Sequence, residues 1–424
     1  MPVAVHASRF RLAVVAPLLL GAAWSAHATN GYFAHGQGAR SLGVAGVAAA
    51  LPQDALVIAT NPAGIAVLGT RLDAGLTWFQ PDREATVRDN GVPGFNGRYS
   101  ANGKRSFWIP EFGYTRAVDA RWSLGLAVYG NGGMNTQYDQ NPFAALGGQG
   151  QAGVNLEQLF VSPAAAYKVH PKHTVGLALN VVHQRFSARG LHPFAQDGTS
   201  ADPDHVTNRG TSSSTGAGVR LGWLGQLAPG WQAGASWSSR VQGSFDRYRG
   251  LFAEQGGFDV PSSWTLGVSW QPHPTLTLGA DYQRIHYSEV KSVGNAIDAL
   301  LAGQPLGSSN GPGFGWRDIG ATKLGAVWQT SDRLTLRAGY SHAGQPIPAG
   351  QTLFNILAPG VVRDHVTTGF TWKAQGGSEL TGYYAHALSH SVRGRGSIPG
   401  SFGGGEADLK MKQHIVGVAY GWRF

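Results

Sequence analysis

The stretch Lys412-Gln413-His414-Ile415-Val416-Gly417-Val418-Ala419-Tyr420-Gly421-Trp422-Arg423-Phe424 separates by parity. Side chains of a strand alternate between its faces, which puts His414, Val416, Val418, Tyr420, Trp422 and Phe424 on one side. Gln413, Ile415, Gly417, Ala419, Gly421 and Arg423 take the other. An apolar face that ends in aromatics, opposite small and polar residues, suits a strand with lipid on one side and a filled lumen on the other. Strands in lipid must pair every backbone group, and only a closed sheet does so. The fold expected is all-β, a transmembrane barrel whose last strand ends at Phe424.

Working back along the chain, fourteen segments show period-2 alternation: 71–80, 104–116, 121–130, 156–168, 172–188, 212–227, 230–249, 258–271, 274–291, 318–329, 333–344, 361–374, 378–392 and 407–424. Clear cases are Trp122/Leu124/Leu126/Val128, Val175/Leu177/Leu179/Val181 and Leu276/Leu278/Ala280/Tyr282. Their connections fall into two length classes. Short turns such as Val169-His170-Pro171 and Gln375-Gly376-Gly377 alternate with loops near 81–103, 131–155, 189–211, 250–257, 292–317, 345–360 and 393–406. Short periplasmic turns and long outer loops are the bacterial barrel pattern, so a 14-stranded antiparallel transmembrane β-barrel spanning 71–424 is expected.

Composition agrees. The 424 residues include no Cys, 62 Gly and only 13% charged residues. That excludes disulfide frameworks and zinc-thiolate sites. Residues 1–28 read as a signal peptide, with Arg9 and Arg11, an apolar core from Leu12 to Ala23, and the small-x-small site Ala26-His27-Ala28. Removing the two arginines leaves 31 Lys+Arg against 24 Asp+Glu, a charge of +7 scattered along strands and loops. Such scatter fits contact with outer-membrane lipid and lipopolysaccharide rather than nucleic acid.

Residues 29–70 do not alternate. Small residues through Val44–Leu51 and the turn Asn61-Pro62-Ala63-Gly64 suggest an N-terminal hatch domain of short helices. Fourteen strands enclose a wide lumen, which such a plug would fill. Three outer-loop clusters, Phe143/Leu146 with Leu156/Phe160, Leu300/Leu301, and Phe354/Ile356/Leu357, are candidates for an apolar capture groove, or else for a loop core. Arg247, Arg249, Lys291, Arg317, Arg363, Arg393 and Arg395, near loop ends, suit a fatty carboxylate or lipid phosphates equally.

Catalytic signals are weak. Gly148-x-Gly150-x-x-Gly153 lies in a Gly-rich loop without strand-to-helix context, and no Gly-x-Ser-x-Gly elbow occurs. The histidines lack acidic or Cys partners at ligand spacing, so no metal, no cofactor and no catalytic residue is expected. An outer-membrane lipid hydrolase stands as the enzyme alternative.

The segments Gly31-Tyr32-Phe33, Gly38-Ala39-Arg40-Ser41-Leu42-Gly43, Asp54-Ala55 and Asn61-Pro62-Ala63-Gly64 resemble the hatch of the FadL/TodX (OmpP1) family of long-chain fatty acid and hydrocarbon transporters. The likeness continues through Tyr129-Gly130-Asn131-Gly132-Gly133-Met134-Asn135-Thr136, Gln158-Leu159-Phe160-Val161, Tyr287 to Asn295 and Phe354 to Pro359, and so covers essentially the whole mature chain. It implies a hatch-plugged barrel in the outer membrane of a Gram-negative bacterium. Cargo would be captured by outer loops, pass to a pocket near the mature N-terminus, and leave laterally beside a kinked third strand. Carried onto this chain, the hatch gate is Asn61, Pro62 and Ala63, and the pocket-side terminus is Thr29, Asn30, Gly31, Tyr32 and Phe33. The kink falls in Gly130, Asn131, Gly132 and Gly133. The partners expected are a hydrophobic small molecule and the barrel assembly machinery, which would bind the Phe424 strand; the protein is expected as a monomer. A diffusion porin for polar solutes, or a surface adhesin or scaffold, are the alternatives.

Overall fold

A computed structural model describes residues 30–374 and 376–424; the leader read in 1–28 and Thr29 lie outside the described residues. The strands are β1 (Arg71–Arg88), β2 (Gly97–Ser100), β3 (Phe107–Ala117), β4 (Trp122–Asn135), β5 (Gly153–His170), β6 (His173–Arg189), β7 (Ser212–Ala228) and β8 (Trp231–Ser238). They continue with β9 (Ser263–His273), β10 (Leu276–Ile285), β11 (Ile319–Gln329), β12 (Leu334–Ala343), β13 (Asp364–Lys373), β14 (Ser378–Val392) and β15 (Glu406–Arg423). Neighbours in sequence pair antiparallel, and β15 closes the sheet on β1 from Arg71↔Arg423 to Arg88↔Glu406. The short β2 hangs on the end of β1 alone, so the closed barrel has fourteen strands.

Outward side chains form the lipid face. Leu124 on β4, Leu177 and Leu179 on β6, Leu324 on β11 and Val418 on β15 are exposed. Aromatics mark both rims: Trp122, Trp328, Trp372 and Trp422 with the stacked pair Trp231–Trp270 at one, Trp108, Trp237, Tyr282 and Tyr340 at the other. Rings with an apolar body and polar edge favour that boundary.

Several expected boundaries shift. Residues 81–88, expected in a loop, continue β1, because Arg83, Ala85 and Val87 stay buried while Glu84, Thr86 and Arg88 turn outward; charge on both faces concealed the alternation. The segment expected to reach residue 249 stops at Ser238, after which Val241 bridges Val260 and Ser244 bridges Gly257 in a separate loop layer. Likewise the segment expected to reach 291 ends at Ile285 and turns into 3-10 and α-helical pieces at Tyr287–Glu289 and Lys291–Gly294. Leu156 and Phe160 belong to the wall strand β5, not to a loop.

Inside the lumen, residues 30–70 fold as a short helix α1 (Ala39–Leu42) and two 3-10 turns, Ala55–Ala59 and Pro62–Val67. Asp54 and Asn61 cap the turns by accepting from Leu56 N and Ala63 N. What lets this hatch seat flush is a belt of wall glycines. A Cβ at Gly113, Gly125, Gly279 or Gly325 would lie 2.7–2.8 Å from Ala55, Leu56, Ile58, Val47 or Val44. At Gly176, Gly222, Gly234 and Gly339 it would run into Ala63 N, Asn61 Oδ1, Ala49 O and Val44 C. Only a residue without Cβ permits such close approach of backbones.

Polar anchors complete the seat. Asp281 accepts from Ala48 N and Ala49 N at 2.8 and 2.9 Å, Asp73 from Ala55 N at 3.0 Å, and Thr367 from Ala45 N at 2.9 Å. Lys323 Nζ donates to the His35 carbonyl at 2.8 Å, and Arg40 of the hatch pairs with buried Glu379 of β14. Short 3-10 turns leave many backbone groups unpaired, and the wall satisfies them.

Candidate functional site

The interior holds an outer cavity, an aromatic plug and an inner chamber in succession, and the wall beside them has a breach. Outermost is an apolar cavity of about 460 Å³, counting its open mouth, whose lining includes Val154, Phe186, Leu191, Phe194, Phe252 and Phe314 together with Phe354 and Leu357. Of the residues singled out in sequence, Phe354 and Leu357 line this cavity. Phe143 packs edge-on to Phe194 at 5.2 Å behind it, and Leu146 sits partly buried nearby. Leu156 and Ile356 are fully buried, and Phe160 stacks on Tyr129 within the wall. Leu300 and Leu301 ride on the loop helix Asp298–Leu301, with Leu301 58% exposed, outside the cavity lining. Sequence reasoning missed Phe186, Phe194 and Phe252, which come from a strand end and two separate loops and share no local pattern.

Beneath the cavity lies an aromatic plug. Phe314 contacts Trp316 at 6.4 Å, and Tyr32 packs on Trp316, Tyr287 and Phe33 at 5.7, 5.1 and 5.4 Å. Trp316 Nε1 donates to Asn355 Oδ1 at 2.6 Å, and the Tyr287 hydroxyl donates to the Asn30 carbonyl. Burial pushes both tyrosine hydroxyls well above their ordinary range, so they remain donors. Gly31, at φ +72°, passes so close that a Cβ would meet Tyr287 and Trp316 at 2.7 and 2.8 Å. The described part of the terminus, Asn30 to Phe33, is thus the body of this plug.

Below Phe33 the lining changes character. A chamber of about 490 Å³, counting its mouth, is walled by Gln37, Asn131, Arg220, Ser238, Thr265 and Lys323. On the opposite side, Phe79, Phe107, Ile109, Tyr383 and Ile415 form an apolar cluster with Ala39 and Leu42. The lumen is therefore two-sided at this level, polar over the middle strands and apolar over the middle of β1, β14 and β15 and the outer end of β3, while the inner ends of β1 and β14 carry buried Arg71, Asp73 and Glu379.

The breach lies between β3 and β4. They are laddered from Ala117↔Ser123 to Phe112↔Val128. Farther out, β3 stays on β1 up to Phe79↔Phe107, and β4 stays on β5 up to Asn135↔Asn155. Phe107–Glu111 and Tyr129–Asn135 therefore carry no ladder between them. The β4 register slips between Gly130 and Gly132, leaving Asn131 as the extra residue of a bulge. Gly132, at φ +151°, bridges Phe33, and a Cβ there would strike the Tyr32 carbonyl. Ala34 N donates to Asn131 O and Gly133 N to Tyr32 O, each at 2.8 Å. The N-terminal segment has taken the place of β3 as partner of the bulge.

Asn61, Pro62 and Ala63 sit at the inner end, against β6 and β7. Asn61 Nδ2 donates to Ala49 O at 2.7 Å and to Trp223 O at 2.8 Å, tying the hatch to itself and to the wall. Asp54, buried and close to Asp73, is held up at about 6 despite Arg40 nearby. Asn61→Ala is expected to loosen the hatch by about 3 kcal/mol, since a cap and two buried bonds go. Hydrogen exchange of the amides between residues 55 and 67 would rise while the barrel ladders stay protected.

Of the basic loop residues, Arg249 pairs with Asp202 at 2.5 Å and Lys291 with Glu254 at 3.0 Å, while Arg247 donates to the Arg209 carbonyl. Among the described residues no group of His, Cys, Asp or Glu has a metal-binding arrangement.

The sequence matches the profile of the outer membrane protein transport protein family (OMPP1/FadL/TodX) over residues 19–245 and 254–424. No curated protein matches it. Among solved structures, the Pseudomonas putida toluene transporter TodX is 17% identical, with a TM-score of 0.69 over 92% of this chain and 99% of that one. A Pseudomonas aeruginosa FadL homologue is 16% identical, TM-score 0.71, covering 93% and 100%. The Ralstonia pickettii toluene transporter TbuX is 20% identical, TM-score 0.65, covering 92% and 99%.

Proposed function

Because the chain belongs to the OMPP1/FadL/TodX family of outer membrane transport proteins, we propose that it carries hydrophobic compounds, long-chain fatty acids or hydrocarbons, passively across the outer membrane after export by its leader. The observation that carries this reading is the bulge residue Asn131, which lines the chamber beneath the plug and lies in the stretch of β4 that has no ladder to β3. Cargo would bury its apolar surface first in the loop cavity, then displace the Tyr32–Phe33 plug, then leave through the breach into lipid. Each move withdraws apolar surface from water at about 25 cal/mol per Å². The toluene transporters TodX and TbuX share the fold, which supports this class of cargo.

A diffusion porin requires an open lumen, and here the hatch and plug fill it. In planar bilayers the protein is expected to conduct ions roughly tenfold less than a variant lacking residues 30–68. Equal conductance would replace transport of hydrophobic cargo with the porin reading.

One observation favours cargo with an anionic head over plain hydrocarbon. Arg220 is 8% exposed, its Nη1 has no hydrogen-bond partner, and it faces the chamber. A buried unpaired guanidinium nitrogen is costly unless something occupies the site part of the time. Arg220→Met is expected to lower uptake of a long-chain acid about tenfold, the cost of about 1.4 kcal/mol of binding, while toluene uptake stays unchanged.

A further inference from the structure

On the outer surface of the wall, directly beyond the breach, lies a second polar cavity of about 630 Å³ counting its mouth. Lys104, Asn135, Asn155, Ser187, Arg189 and Thr211 line it. Asn135 and Asn155 face each other across the β4–β5 ladder, with Asn135 Nδ2 donating to Asn155 Oδ1 at 2.7 Å. Nearer the membrane centre the outward face of β6 carries Arg185 and His183 and then exposed Val181 and Leu179, and β3 carries exposed Trp108. The cavity therefore sits on the headgroup side of the apolar belt.

Two cations without carboxylate partners, Lys104 and Arg189, meet in this one cavity. Elsewhere on the rim four outward cations have carboxylate partners, Arg98 with Glu84, Arg240 with Asp259 at 3.2 Å, Arg284 with Asp318 at 3.5 Å and Lys412 with Asp82 at 3.5 Å, whereas Lys410 and Arg363 form no ion pair among the described residues. Lys104 and Arg189 have no ion pair among the described residues, the Lys104 ammonium lying over the Phe107 ring 5.3 Å from its centroid, and Arg247 reaches the Arg209 carbonyl just before Thr211. The carboxylates beside the cavity are engaged, Glu157 by Asn155 and Arg185, Asp139 by Gln151. Unpaired ammonium and guanidinium groups among amide and hydroxyl donors are the complement of a phosphate on a sugar.

We propose that this cavity binds the phosphorylated sugar headgroup of an outer-leaflet glycolipid and seats it at the head of the breach. The site rests on the outer-membrane placement and not on the identity of the cargo, so its failure and the failure of the transport reading are read separately.

The test compares wild type, Lys104→Gln/Arg189→Gln and the paired-sector control Arg284→Gln, each extracted from outer membranes and washed in detergent. Retained phosphoglycolipid per barrel is counted by native mass spectrometry, with folding checked by heat-modifiable mobility. Wild type and control are expected to keep the lipid, and the double variant to lose about tenfold. Adding millimolar inorganic phosphate is expected to leave wild type loaded. Equal retention by the double variant would overturn the site. So would emptying of wild type by inorganic phosphate, which would make free phosphate the ligand. Cargo uptake measured on the same variants reports on transport alone.

Discussion

Deleting Asn131 is expected to abolish cargo uptake while leaving a folded barrel. The residue is the extra one in β4: Gly130 pairs with Leu159 and Gly132 with Gln158, so removing it makes the β4–β5 ladder continuous. A straightened β4 then runs beside Phe107–Glu111, whose backbone groups lack a ladder on that side. Pairing the groups available there, Pro110 having no N–H to offer, recovers the cost of unsatisfied groups, about 1–3 kcal/mol each where buried, which favours closure. The same deletion removes the carbonyl that holds Ala34. Uptake should fall to that of cells without the protein, with heat-modifiable mobility and surface abundance unchanged. Uptake at the wild-type level would show that cargo does not leave through this wall.

The second large effect is expected from the glycine belt. Gly234 lies so close to the hatch that a Cβ would overlap the Ala49 carbonyl, and at Gly176 it would overlap Ala63 N. Both glycines sit in ladders on either side, β7–β8–β9 and β5–β6–β7, so the wall cannot yield. Overpacking of a fitted interface costs about 1–3 kcal/mol, and more when backbone is struck. Gly176→Val/Gly234→Val should therefore unseat the hatch rather than bend the barrel. The expected readout is a large rise in ion conductance and in entry of small polar solutes. Gly400→Val, in an outer loop with no atom within 4 Å of the added carbon, serves as control. Conductance unchanged in the double variant would mean that the hatch does not seal the lumen.

The barrel was legible in the sequence because lipid enforces parity: Leu177, Leu179 and Val181 have to face one way whatever the lumen holds. Where both faces carry charge, as in Arg83 to Arg88, the period disappears and the strand is misjudged as loop. The hatch turn Asn61-Pro62-Ala63-Gly64 could be read from its turn-forming residues, but its seat could not. Gly113, Gly176, Gly234 and Gly279 are four among 62 glycines, and only ladder register brings them to one belt. Asp281 and Glu379 likewise read as ordinary strand charges until closure turns them onto hatch amides and Arg40. The loop cavity was half visible: Phe354 and Leu357 stand in one apolar run, whereas Phe186, Phe194 and Phe252 meet only through the fold. The two-sided lumen had no sequence signal, since Arg220 and Phe107 lie on strands far apart in the chain.

The most direct test is uptake of labelled long-chain fatty acid and labelled toluene by cells that lack the protein, complemented with wild type or with the Asn131 deletion. Restoration of at least one label by wild type, and its loss on the deletion, is the result expected of a hatch-plugged carrier with a lateral exit. Uptake of both labels independent of the protein, with small polar solutes now dependent on it, would contradict the account.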